Sequence, residues 1–152
     1  MPLAQDLDAL ARTVYGEARG ESDLGRLAVA YVPITRAEIA ARFVAATGHR
    51  HPLYGDGTVA SACHMPWQFS CWNAKDPNMP KLIALDLTSE EAQPSVWAAG
   101  AALAGSAPNP AEGATHYHTT ANPRPRHAWP PPWAQGQTPV TQVGGHVFYR
   151  LG

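Results

Sequence analysis

Cysteine, charge and long apolar runs are all scarce in this sequence, and each shortage excludes something. Two cysteines in 152 residues rule out a disulfide-stapled scaffold and a four-thiolate zinc site. Cys63 and Cys71 flank Pro66 and leave two readings open, one bridge or two buried thiols. Charged residues are 15% of the chain, well below the roughly one quarter of an average soluble domain. The formal net charge is −1 with no basic stripe, so no nucleic-acid partner is expected. No apolar run approaches the ~18 residues of a membrane span, and no stable membrane insertion is expected. Residues 1–8 lack the basic and apolar regions of a secretory signal, so no signal peptide is expected.

What the chain has in excess is proline, fifteen of them, concentrated towards the C-terminus. Its length suits a single domain, 1–152, with a core of its own. Leu7, Leu10, Ala11, Val14 and Tyr15 recur at helical spacing and predict a first helix ending between Glu17 and Gly20, where glycines weaken it. Ser22 or Asp23 is the expected N-cap of a second helix. Leu24, Leu27, Ala28, Tyr31 and Ile34 supply its apolar face, Pro33 should kink it, and Gly48 should end it.

Residues 49–80 change character, with turn signals at Gly55-Asp56-Gly57 and at three prolines. A later helix is predicted from Thr88 or Ser89 to Leu103, with Thr88 and Glu91 as a capping-box pair and Pro94 delaying its regular part. Residues 115–119 read as a short strand. Residues 123–133 are too proline-rich for helix or central strand. Residues 140–149 read as a hairpin turning at Gly144-Gly145. Helices first and a small antiparallel sheet last make an α+β domain.

The chemistry centres on the carboxylates at the end of the first helix. Glu17 follows the apolar face and sits among glycines that let another molecule approach the backbone. A carboxyl partly desolvated there has a raised pKa and can donate a proton at neutral pH, as sugar-cleaving enzymes require. Glu21 lies one turn on and reads better as a hydrogen-bonding or capping residue. Paired glycosidase carboxylates stand roughly 5–9.5 Å apart across the sugar, whereas these two would share one side of it. Trp67, Trp72, Trp129 and Trp133 lie outside the predicted helices. They suit core filling or, with Gln68, Ser70, Asn73 and His127, a sugar-stacking cleft. His116 and His118 would share one strand face, and with His146 they could hold catalytic zinc, although no His-Glu-x-x-His motif is present. Cys71 has no motif placing a base beside it.

Three blocks carry a resemblance. Leu10-Ala11-Arg12-Thr13-Val14-Tyr15-Gly16-Glu17-Ala18-Arg19-Gly20-Glu21, Gln68-Phe69-Ser70-Cys71-Trp72 and Gly113-Ala114-Thr115-His116-Tyr117-His118 resemble, in order, three motifs of the spore cortex-lytic (SleB/CwlJ-like) cell wall hydrolases. That resemblance implies a compact, lysozyme-like α+β domain that cleaves peptidoglycan glycan strands as a lytic transglycosylase. It implies Glu17 as general acid/base, no cofactor and no metal. Tyr15, Glu21, Gln68, Phe69, Ser70, Trp72, His116, Tyr117, His118 and Trp129 are the expected substrate-binding residues. Two departures stand out: Thr35 occupies a position where the family usually carries Asn, and His118 stands where cortex-lytic members often have another residue. They imply a branch away from spore germination. A monomeric phage-like endolysin, made in the cytoplasm and released by holin-type export, is the expected setting. The alternatives are a zinc-dependent amidase or peptidase using His116, His118 and His146, and a non-catalytic peptidoglycan-binding module.

Overall fold

The computed structural model describes residues 2–66, 68–123 and 125–152. Helix α1 (Pro2–Ala18) buries Leu10, Ala11, Val14 and Tyr15 of the apolar stripe read from the sequence, with Leu7 partly buried and Ala18 added to it. It stops before Gly20, and the chain turns through a Glu21 N–H to Ala18 carbonyl bond of 2.9 Å. Ser22 then caps α2 (Asp23–Thr47), its side chain accepting from the Gly25 N–H. Gly48 closes that helix in the left-handed conformation, at φ 74°, where glycine avoids the Cβ clash. The expected kink at Pro33 does not interrupt α2. Pro33 is buried inside it, and surrounding core contacts offset the backbone bond its ring cannot donate.

Two short helices escaped the sequence reading. Helix α3 (Val59–His64) is capped by Thr58, whose hydroxyl accepts from the Ser61 N–H. Helix α4 (Met79–Ala84) carries Pro80 in its first turn, where the missing donor costs nothing. Six residues are too few to show a period. Arg12 ties α4 to α1 by donating to the Leu82 and Leu85 carbonyls at 2.6 and 2.8 Å. Helix α5 (Gln93–Ala104) starts later than Thr88, and the expected capping box does not form. The Thr88 hydroxyl bonds Asp86, while the Glu91 carboxylate accepts from Tyr15. Ala98, Ala99, Ala101 and Ala102 are buried in α5, and small side chains let α1 and α2 pack closely on it.

Strands β1 (His116–Thr119), β2 (Thr141–Val143) and β3 (His146–Tyr149) form an antiparallel sheet in the order β1-β3-β2. The hairpin turns at Gly144-Gly145, as its sequence predicts. Across β1 and β3, Tyr117 faces Phe148 and Thr119 faces His146. Opposed residues share a sheet face. Tyr117, Thr119, His146 and Phe148 therefore point one way, and His116, His118, Val147 and Tyr149 the other. Phe148 joins the continuous core that begins at Ala9. The fold is α+β, as expected. No helix among the described residues is long and apolar enough to cross a membrane.

Candidate active site

Glu17 leaves the last turn of α1 among side chains brought by three separate parts of the chain. A 3-10 turn, Ser70–Trp72, lies along one flank, β1 supplies Tyr117, and α2 brings Arg36 beneath. Gly16 makes this approach possible. A Cβ there would sit 2.7 Å from Cys71 Cβ and 2.9 Å from Leu82 Cδ2, distances that packed atoms do not tolerate. The sequence reading expected these glycines to admit another molecule. Gly16 instead admits Cys71 and Leu82 of the same chain, and a Cβ at Gly20 would meet nothing within 4 Å.

The Tyr117 hydroxyl donates to Glu17 Oε1 at 2.8 Å. Burial raises the Glu17 pKa above its ordinary value, and the nearby Asp76 charge adds to this. Hydrogen-bonding groups of Tyr117, Cys71 and Ser70 oppose the rise without cancelling it. Glu17 still keeps part of its surface open to solvent. The carboxyl therefore holds its proton to higher pH than usual, as a general acid needs. The Tyr117 phenol is driven well above its ordinary pKa by burial and by the Glu17 carboxylate, so it stays a donor.

Arg36 is buried, donating from Nε to the Thr115 carbonyl at 2.7 Å and from Nη1 to Gln68 Oε1 at 3.2 Å. Its guanidinium carbon lies 4.8 Å from the Phe69 ring centroid. Burial pulls its pKa down, while the Tyr54, Tyr117, Cys63 and Glu17 charges oppose the fall. Arg36 links α2, residue 68 and β1 behind the acid. Sequence reasoning passed over this residue; an arginine within the buried stretch of α2 was the available signal.

The predicted residues fall into separate groups. Phe69, Ser70 and Tyr117 lie around Glu17, and Gln68 joins through Arg36. Tyr15 does not: two residues along a helix is about 200° of rotation, and its hydroxyl donates to Glu91 instead. Tyr15, Arg19, Lys81, Asp86 and Glu91 help to line a different cavity of about 490 Å³. The Trp72 indole N–H donates to the buried Thr13 hydroxyl at 2.8 Å, and its ring lines an outer groove with His64, Asn73 and Lys75. Glu21 turns to the hairpin, where Oε1 accepts the Gly145 N–H at 2.7 Å. Trp67 lies outside the described residues.

His116 and His118 occupy the sheet face away from Tyr117 and pack with Trp129, Trp133 and Tyr149. His118 is held at both nitrogens, Nδ1 by the Thr119 carbonyl at 2.7 Å and Nε2 by the Tyr149 hydroxyl at 2.9 Å. Burial and Arg36 push the His116 pKa down to about 4. The zinc triad is not assembled, because strand alternation puts His146 on the Tyr117 side of the sheet. Among the described residues no group of three His, Cys, Asp or Glu side chains could hold a metal ion. Cys63 and Cys71 are two free, buried thiols, which decides between the two cysteine readings.

The α+β fold and its matches with known proteins define a class, the cell wall hydrolases. The Cell Wall Hydrolase family model matches residues 20–149, and the chain belongs to that family. The match begins just past Glu17, so the acid itself rests on its geometry and motif. The catalytic domain of the Bacillus cereus SleB protein is similar in structure, with a TM-score of 0.64 and 25% identity over 97% of this chain and 91% of that one. The catalytic domain of the germination-specific lytic transglycosylase SleB from Bacillus anthracis gives the same score and identity, over 96% and 94%. No curated protein sequence matches significantly.

Proposed function

We propose that this chain cleaves the glycan strands of peptidoglycan as a lytic transglycosylase, with Glu17 as general acid and then base. The observation that carries this reading is the carboxyl of Glu17, held to a raised pKa by burial and bonded by the Tyr117 hydroxyl. Membership of the Cell Wall Hydrolase family and likeness to a SleB domain named as a lytic transglycosylase support it.

One carboxyl is enough for the reaction. Glu17 gives its proton to the glycosidic oxygen as the bond from the sugar C1 breaks. The C6 hydroxyl of the same sugar then closes on C1 and returns a proton to the Glu17 carboxylate. One bond breaks, one forms, no water is consumed, and the enzyme ends as it began. Ser70 is exposed beside the acid and offers a hydroxyl to the sugar, Tyr117 fixes the carboxyl, and Phe69, expected to bind substrate, is instead buried in the core against Arg36.

Mass spectrometry of digested sacculi tests this directly. Fragments ending in 1,6-anhydro sugars are expected. Reducing ends would replace the transglycosylase step with hydrolysis, and released peptides without glycan cleavage would replace the glycosidase reading with an amidase. Binding to sacculi without any product would leave a non-catalytic module.

A further inference from the structure

Glu21 and His146 take no part in the proposed cleavage, yet the turn between β2 and β3 is shaped around them. Glu21 Oε1 accepts the Gly145 N–H at 2.7 Å. A Cβ on Gly144, which has φ 54°, would fall 2.4 Å from that oxygen, so only glycine leaves room for the carboxylate. The next residue, His146, is buried. Its Nδ1 has no hydrogen-bond partner and lies 3.5 Å from Glu21 Oε1. The His146 ring then meets the Tyr117 ring at 5.1 Å and 87°, and Tyr117 holds Glu17. Four side chains from α1, the loop after it, β1 and β3 thus form one continuous line.

We propose that Glu21 and His146 are positioning residues, a clamp on the Tyr117 ring that keeps its hydroxyl on the Glu17 carboxyl. The inference rests on the reading of Glu17 as the acid. It gives Glu21 a role at the hairpin, in place of the substrate contact expected from its motif. The groups around His146 are Glu21 from the loop after α1, Tyr117 from β1 and Phe148 from β3 on its own sheet face, with His118 of β1 acting from the opposite face. Burial lowers the His146 pKa, with His118 acting the same way and Glu21 opposing. The ring is therefore neutral at neutral pH and holds Tyr117 through packing and its dipole towards Glu21.

The test is the titration of the Glu17 carboxyl, followed by carbon NMR in the wild type and in Tyr117→Phe, Glu21→Gln and His146→Phe, together with kcat and KM on sacculi. The Tyr117 bond favours ionised Glu17, so losing it in Tyr117→Phe should move the midpoint up by about one pH unit. Glu21→Gln keeps an oxygen for the Gly145 N–H, and His146→Phe keeps an aromatic ring. Each should move the midpoint in the same upward direction by a smaller amount, lower kcat and leave KM unchanged. Adding either to Tyr117→Phe should bring no further rise. A purely coulombic role for Glu21 would move the midpoint down, because a neighbouring negative charge has been removed. Downward or absent movement in Glu21→Gln and His146→Phe overturns the clamp, as does full additivity with Tyr117→Phe. The titration needs no turnover: a wild type that releases no glycan fragments sinks the functional reading, whereas an unmoved midpoint with intact lysis sinks the clamp alone.

Discussion

Replacing Glu17 by Gln should separate activity from stability, in opposite directions. The substitution preserves shape, and the amide oxygen of the new side chain can still accept from the Tyr117 hydroxyl. It removes the transferable proton. Losing general acid–base help costs about 10²–10⁴ in rate, or about 2.7–5.4 kcal/mol of barrier at 1.36 kcal/mol per decade. Folding should respond the other way. The folded-state pKa of Glu17 is raised above its ordinary 4.5, so the native state binds this proton more tightly than the unfolded chain does. That contribution to stability is complete below the unfolded pKa and is lost as pH rises through the folded one. At neutral pH the folded wild type must either bury the charge or take up a proton that the unfolded chain has released, and the neutral amide is spared that cost. A gain on the order of 1 kcal/mol is expected, about 2–4 °C in Tm for a chain of this size. It should shrink on going to pH 4. Turbidity clearing of purified sacculi measures the first effect, and calorimetry at two pH values the second. Undiminished lysis by the variant, or a Tm several degrees lower at neutral pH, would refute the reasoning.

Gly16→Ala drives a methyl into Cys71 and Leu82 and should destabilise by about 1–3 kcal/mol; an unchanged urea midpoint would show that the 3-10 turn does not pack where described. Because Cys63 and Cys71 are free and buried, and burial pushes the Cys63 thiol up to about 12, a thiol reagent should react slowly with the native protein and find two thiols in denaturant. Finding none without reductant would establish a bridge. Trp72→Phe removes the indole donor to Thr13 and should cost about 1 kcal/mol in a denaturant titration; no change would mean that the bond carries no net stability. Since His146 lies across the sheet from His116 and His118, treatment with a chelator should leave lysis intact, and activity lost to chelation and restored by zinc would revive the metal alternative.

How far the site was legible depends on which contacts are local. Glu17 could be singled out because helix spacing and two glycines are written within a dozen residues. The same neighbourhood misled on Tyr15, since a motif read as a word hides the 200° that separates its two members on a helix. His116 and His118 were assigned one face correctly from alternation, but the face pairing of His146 requires the strand register, which no local pattern contains. Arg36 and Asp76 act on Glu17 across gaps in sequence that only packing closes. The short helices α3 and α4 were invisible for a different reason: six residues held by tertiary contacts need no intrinsic helical signal.

By itself the sequence determined the three long helices, the Ser22 and Gly48 caps, the hairpin turn and the candidate acid. These follow from side-chain periodicity and from the conformations that serine and glycine permit, both properties of neighbouring residues. Only the tertiary structure decided what surrounds that acid. A pKa is set by desolvation and by charges within a few ångströms, wherever in the chain they originate. Burial under segments packed from far along the chain, with the Asp76 charge, turns an ordinary helix-end glutamate into a proton-holding one, and the Tyr117 hydroxyl, 100 residues away in sequence, limits the rise.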